Sequence, residues 1–157
     1  MPTDPLTVRE SLELMDRGWA DFQQQVRGLP MERLQQPLAS GAWTRKQMLG
    51  HLATWHDLTV HRLSTFADTG QPNGLDEDED VVNARAARAA EGRPIEAVLS
   101  SLDVSFQRLR REVSKLSDTQ LAAHASWAAA VIAGNSYGHY REHLSDLEPP
   151  AVPKGQP

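Results

Sequence analysis

Val8, Leu12, Met15, Trp19, Phe22 and Val26 follow one another at spacings of 4, 3, 4, 3 and 4 residues. An α-helix turns 100° per residue, so this spacing lays six large apolar side chains along one stripe, whereas a strand would scatter them over both faces. Such a stripe has to be buried against further helices, and the rest of the chain supplies them. Asp4 before Pro5 reads as the cap and first turn of this helix, and Gly28-Leu29-Pro30 as its end. Gly18 lowers helix propensity in its middle and marks a close packing contact.

Thr44-Arg45-Lys46-Gln47 has the Ser/Thr-x-x-Glu/Gln pattern of a capping box, so a second helix is expected from there to about Asp68. It carries Met48, Leu49, Leu52, Trp55, Leu58, Leu63 and Phe66. The turn-rich, acidic stretch from Asp68 to Asp80 reads as a solvated crossover; it lacks the spacing and final glutamate of an EF-hand. A short alanine-rich helix follows, from Val81 to Ala90, stopped by Gly92. Pro94 then opens a third long helix with Ile95, Val98, Leu99, Leu102, Phe106, Leu109, Val113 and Leu116. Ser117 and Asp118 cap a short turn, and the last helix is expected from about Ser126 to Leu147. No stretch alternates as a strand would. The expected fold is all-α: a four-helix bundle over residues 1–148 with a long crossover between helices 2 and 3, which lets those two run parallel. Residues 149–157, proline-rich and nearly without large apolar side chains, read as a disordered tail.

Composition removes several classes of function. With no cysteine, the 157-residue chain has no disulfide framework, no zinc finger, no iron–sulfur cluster and no cysteine nucleophile. No run of about 18 apolar residues is present and the N-terminus lacks the marks of a secretory signal, so no membrane partner and a cytoplasmic location are expected. The net charge is −5, and the most basic stretch, Arg108-Leu109-Arg110-Arg111, reads as the solvated face of a helix; nucleic acid is not expected as a partner.

His139 and His143 stand four residues apart in the last helix, where two imidazoles converge on one side. His51, between Met48 and Trp55, falls on the inward side of the second helix. Three such histidines form a ligand set for a divalent transition metal; the other reading of His51 is a core histidine bonded to a carbonyl or water. His56, about 140° around the helix from His51, cannot join the set, and His61 and His124 read as surface or boundary residues. Asn135, one turn before His139, is a candidate to line a cavity at this site, and Trp43, Trp55 and Tyr140 are candidate walls, with plain core packing the other reading of each aromatic. Glu142 lies about 100° away and is a poor ligand candidate.

Trp43-Thr44-Arg45-Lys46-Gln47-Met48-Leu49-Gly50-His51-Leu52-Ala53-Thr54-Trp55 resembles the tryptophan–cap–helix–histidine segment of the DinB-like, or YfiT-like, metal-dependent enzymes. Asn135-Ser136-Tyr137-Gly138-His139-Tyr140-Arg141-Glu142-His143-Leu144 resembles that family's C-terminal HxxxH segment. The resemblance implies an up-down-down-up bundle with a metal held by His51, His139 and His143, nickel or zinc being favoured over iron or manganese. It implies a metal-dependent hydrolase or a thiol S-transferase, drawing on a low-molecular-weight thiol and acting on a small reactive or toxic metabolite in stress response. The alternative is a non-catalytic metal-binding stress-response protein. A homodimer is also expected, from the resemblance and from apolar stripes on the first and third long helices that look wider than one core can cover.

Overall fold

A computed structural model describes residues 4–38 and 41–147. Among these residues it is helical and has no strand, with seven segments: α1 (Val8–Arg27), α2 (Met31–Leu34), α3 (Arg45–Thr69), α4 (Glu79–Glu91), α5 (Ile95–Ser114), α6 (Asp118–Asn135) and α7 (Tyr137–Leu147). The expected tail, residues 149–157, lies outside the described residues.

Local chemistry sets the helix ends. α3 begins where the capping box places it: the Thr44 hydroxyl accepts from the Gln47 amide at 3.1 Å, and the Gln47 side chain accepts from the Thr44 amide at 2.9 Å. α1 is capped in the same way by Thr7 and Glu10, three residues later than the Asp4-Pro5 reading. Thr7 wins because a glutamate stands three residues beyond it and closes the reciprocal pair. α3 ends at Gly70, whose φ of +71° suits a residue without Cβ.

α3 is the centre of the molecule and packs against α4, α5, α6 and α7. It buries residues over about 200° of its circumference, from His51 through Met48 and Leu52 to His56 and Ala53, and leaves Asp57 and His61 exposed on the remaining face. Along α3 and α5 the contacts advance together: Gly50 and Thr54 face Val98 and Ser101, His56 meets Ser105, and Asp57 meets Arg108. The two helices are therefore parallel, as the long crossover allows. α1 runs against α5, with Asp16 paired to Arg110 and Trp19 stacked on Phe106 at 4.2 Å. Two glycines permit close helix crossings. A Cβ on Gly18 would stand 2.7 Å from the Tyr137 Cβ, and one on Gly50 would stand 2.6 Å from the Ala90 Cβ. The stripes of α1 and α5 are covered within the chain: Met15, Phe22, Leu102 and Leu109 are fully buried. The large exposed apolar residues, Met31, Val81 and Val104, sit on three different helices, so stripe width is no ground for a dimer.

The backbone leaves the helix twice in the C-terminal part, once at the expected start of the last helix near Ser126 and once inside that helix. Within α6 the backbone leaves the helix at Ala123 and passes through three left-handed residues, His124, Ala125 and Ser126, with φ of 53°, 54° and 61°. Non-glycine residues resist that conformation by about 1–2 kcal/mol each. A bond from His124 Nε2 to the Gly70 carbonyl (2.7 Å) ties the turn to the end of α3. The second break is at Ser136, which matters for the site.

Candidate metal centre

Ser136 is fully buried, with φ −133° and ψ −109°, and its hydroxyl donates back to the Ile132 carbonyl at 2.5 Å. Two residues on, Gly138 lies so close to the Ala133 carbonyl that a Cβ would sit 2.7 Å from its oxygen. The serine diverts the chain and the glycine leaves room for the diversion, so α7 starts in a new direction. That direction aims His139 at the second turn of α3.

There the three histidines meet. His51 Nε2 and His139 Nε2 lie 3.0 Å apart, and His139 Nε2 and His143 Nε2 lie 3.1 Å apart. The nitrogens of all three fall within 4.8 Å of one another, a cluster that could hold a metal ion. Two ligands about 2.0–2.1 Å from one zinc ion are separated by roughly 2.9 Å at a right angle and roughly 3.3 Å at the tetrahedral angle. Both of these separations lie between those values, so the His51–His139 and His139–His143 pairs each suit such an ion. Their electronic state fits as well. Burial, and then the neighbouring His143, pushes the His51 pKa down to about 4. Burial first, and then His51, His143 and His56, push His139 down to about 3. Both rings are therefore neutral near pH 7, as imidazole ligands must be.

Around the ligating atoms stand groups that orient them. His143 Nδ1 is 2.8 Å from Asp146 Oδ2, one turn further along α7, the carboxylate–histidine pairing that leaves Nε2 free to ligate. Asn83 on α4 accepts from Trp55 Nε1 at 2.8 Å with its Oδ1 and lies beside the His51 ring. His51 Nδ1 and His139 Nδ1 are buried without a hydrogen-bond partner among the described residues.

One side of the cluster opens onto a cavity of about 260 Å³. Its walls include His51, Trp55 and Arg62 from α3, and Gly134, Asn135, His139 and Glu142 from α6 and α7. Leu75 of the crossover and Glu79 of α4 complete it. Of the candidate lining residues, Asn135 and Trp55 border this cavity. Trp43 packs beside His51 at 5.0 Å between ring centroids but does not line the cavity. Tyr140 is not a wall of it either. Its side chain is buried on another side of α7 against Trp19 and Phe22, because one residue along a helix turns it 100° from His139.

Tyr140 belongs to a second polar group that the sequence did not announce. The Ser105 hydroxyl donates to the Leu102 carbonyl at 2.9 Å, so its oxygen can only accept from His56 Nδ1, 2.8 Å away. His56 Nε2 is then a bare acceptor, and the Tyr140 hydroxyl donates to it at 2.5 Å. His56 is 0% exposed, and burial holds its pKa down to about 3 while it raises that of Tyr140. This relay is closed to solvent and separate from the three-histidine cluster.

No curated protein matches the chain in sequence. Solved structures do match in fold. An uncharacterised Escherichia coli UTI89 protein superposes with a TM-score of 0.76 at 16% identity, over 91% of each chain. The colibactin self-resistance protein ClbS, in complex with dsDNA, also gives 0.76 at 16% identity, over 92% of this chain and 95% of its own. A variant of the mycothiol-dependent maleylpyruvate isomerase gives 0.74 at 16% identity, over 94% of this chain but only 62% of the isomerase. The ClbS complex overturns the exclusion of nucleic acid. Net charge averages over the whole surface, while binding to a phosphate backbone depends on where cations lie, so −5 does not exclude such a partner for this fold. No helix among the described residues is long and apolar enough to cross a membrane. The family model of the DinB superfamily matches residues 14–146, and the chain belongs to that superfamily.

Proposed function

We propose that His51, His139 and His143 hold one divalent transition ion, nickel or zinc before iron or manganese, and that the protein uses it as a hydrolase or thiol S-transferase on a small reactive metabolite. The observation that carries this reading is the convergence of three imidazoles, two of which, His51 and His139, line an open cavity. The pairwise helix directions support an up-down-down-up four-helix bundle as the frame. Three neutral ligands leave the ion its full charge and open positions, and its chemistry when bound is to acidify a coordinated water or thiol. The chain's own part is to hold three nitrogens close together, to keep His51 and His139 unprotonated by burial, and to orient His143 through Asp146. Because the chain has no cysteine, any thiol must arrive with a cofactor or substrate. Sequestration of a metal without turnover is the competing outcome.

The test is the metal content of protein purified without an affinity tag, for the wild type and for the His139→Ala, His143→Ala double variant. Equal occupancy refutes the site. Retained metal in the wild type, followed by turnover of low-molecular-weight thiols with electrophiles or of hydrolysable esters, supports the enzymatic reading. Metal without turnover of either favours the binding protein. Since ClbS was crystallised with dsDNA, a duplex belongs among the ligands tested.

A further inference from the structure

Arg62 lies three turns beyond His51 on α3, in line with it and with Trp55, and it forms the far wall of the same cavity. Its guanidinium is half-buried and has no carboxylate within ion-pair distance among the described residues. Nη2 donates to the Asn73 carbonyl at 2.9 Å, and the Asn73 amide returns a bond to the Arg62 carbonyl at 3.0 Å. Cζ sits 5.4 Å over the Trp127 ring. Nε is buried without a partner, and burial lowers the guanidinium's pKa. Five N–H donors are present, and one accepted bond does not explain why a permanent charge is desolvated here. A lysine or glutamine would hold the crossover as well. A cation fixed on both sides, at the wall of a cavity and with no carboxylate within ion-pair distance among the described residues, is arranged to receive an anion.

We infer that the cavity takes an elongated molecule with an oxyanion, a carboxylate in the simplest case, which pairs with Arg62 while its reactive end reaches the three histidines. This rests on the metal reading above and specifies the substrate for it. Eleven residues of helix separate the two Cα atoms by about 16 Å, so a ligand that joins the two ends must be elongated. The cavity's charges set the order of binding. Arg62 contributes one positive charge and the exposed Glu79 and Glu142 one negative charge each, which leaves the empty cavity at −1 and a cavity with a divalent ion at +1. The anion therefore follows the metal.

The experiment uses the full chain loaded with Co(II) and a series of ω-mercaptocarboxylates of increasing length, each beside its methyl ester. The thiolate-to-cobalt absorption band reads binding. Cobalt uptake, lost in the His139→Ala, His143→Ala variant, tests the metal reading first and separately. Among the acids, affinity should peak at a length that spans the cavity, and that acid should bind about tenfold tighter than its ester. Arg62→Gln should erase the difference by weakening the acid alone, and Arg62→Lys should retain part of it. Unchanged far-UV circular dichroism and unchanged binding of the shortest ester show that Arg62→Gln is folded; if it is not, the wild-type acid–ester comparison and the Arg62→Lys variant decide. Acid and ester binding alike to the cobalt protein overturns this inference alone. A chain that takes up no cobalt overturns both.

Discussion

Removing the Tyr140 hydroxyl isolates one interaction cleanly. In the relay, Leu102 accepts from Ser105, Ser105 accepts from His56, and His56 accepts from Tyr140, so each proton has one place to go. Tyr140→Phe keeps the ring against Trp19 and Phe22 but leaves the His56 Nε2 lone pair facing a phenyl edge in a site that is 0% exposed. An unsatisfied buried acceptor costs about 1–3 kcal/mol. For a domain of this length about 2–4 °C accompanies each kcal/mol, so a loss near the middle of that range lowers the melting temperature by roughly 4–8 °C. Thermal unfolding followed by circular dichroism at 222 nm measures it. Replacing both partners removes the orphaned acceptor, so Tyr140→Phe with His56→Leu should be less destabilised than the sum of the single variants, by about 1 kcal/mol or more. A Tyr140→Phe variant within about 0.5 kcal/mol of wild type, or a strictly additive double variant, would refute the assignment of donors and acceptors.

Stability should fall on acidification, because His56 binds a proton near pH 6.5 when unfolded and only near pH 3 when folded. The unfolded chain then holds the extra proton between those values, and stability is complete above pH 6.5 and declines below it, by about 2 kcal/mol at pH 5 for this residue alone. Urea midpoints at pH 7.5 and pH 5 should show the loss, with a shallower slope in His56→Leu; a flat profile removes the argument. Gly18→Ala brings a Cβ to 2.7 Å from the Tyr137 Cβ, about 1 Å inside normal contact, so α1 and α7 must separate. Overpacking of about 1–3 kcal/mol outweighs the helix-propensity gain of about 1 kcal/mol, and a raised melting temperature would contradict this.

What the sequence made legible were features written in adjacent residues. The 4-3-4-3-4 stripe of α1, the Thr44–Gln47 box and the His139–His143 spacing each lie within one helix and need no knowledge of what packs where. The misses arise from contacts between distant residues or from backbone that side-chain periodicity does not record. Nothing in His124-Ala125-Ser126 announces a left-handed turn, since glycine, the usual marker, is absent. Asn83 and Arg62 stand in no motif of the sequence; only the fold sets Asn83 beside Trp55 and Arg62 at the cavity. His56 was placed apart from His51 by its angle, but the angle could not show that His56 is buried as well, between Ser105 of α5 and Tyr140 of α7.

The angles that separate these residues also explain how α7 is held. His51 and His56 lie about 140° apart on α3, and His139 and Tyr140 about 100° apart on α7. Each residue of one pair meets one residue of the other: His139 faces His51, and Tyr140 bonds His56. A single contact between two helices leaves each free to roll about its own axis. Two contacts on different sides remove that freedom, and the close approach of Gly18 to Tyr137 limits separation from the side of α1. α7 begins at a backbone break, so it cannot inherit its rotation from α6. The buried relay supplies the missing constraint, and the position of His143, one turn beyond His139, follows from it. Histidines four residues apart specify only that two rings share a face; which way that face points is decided by Tyr140 and His56.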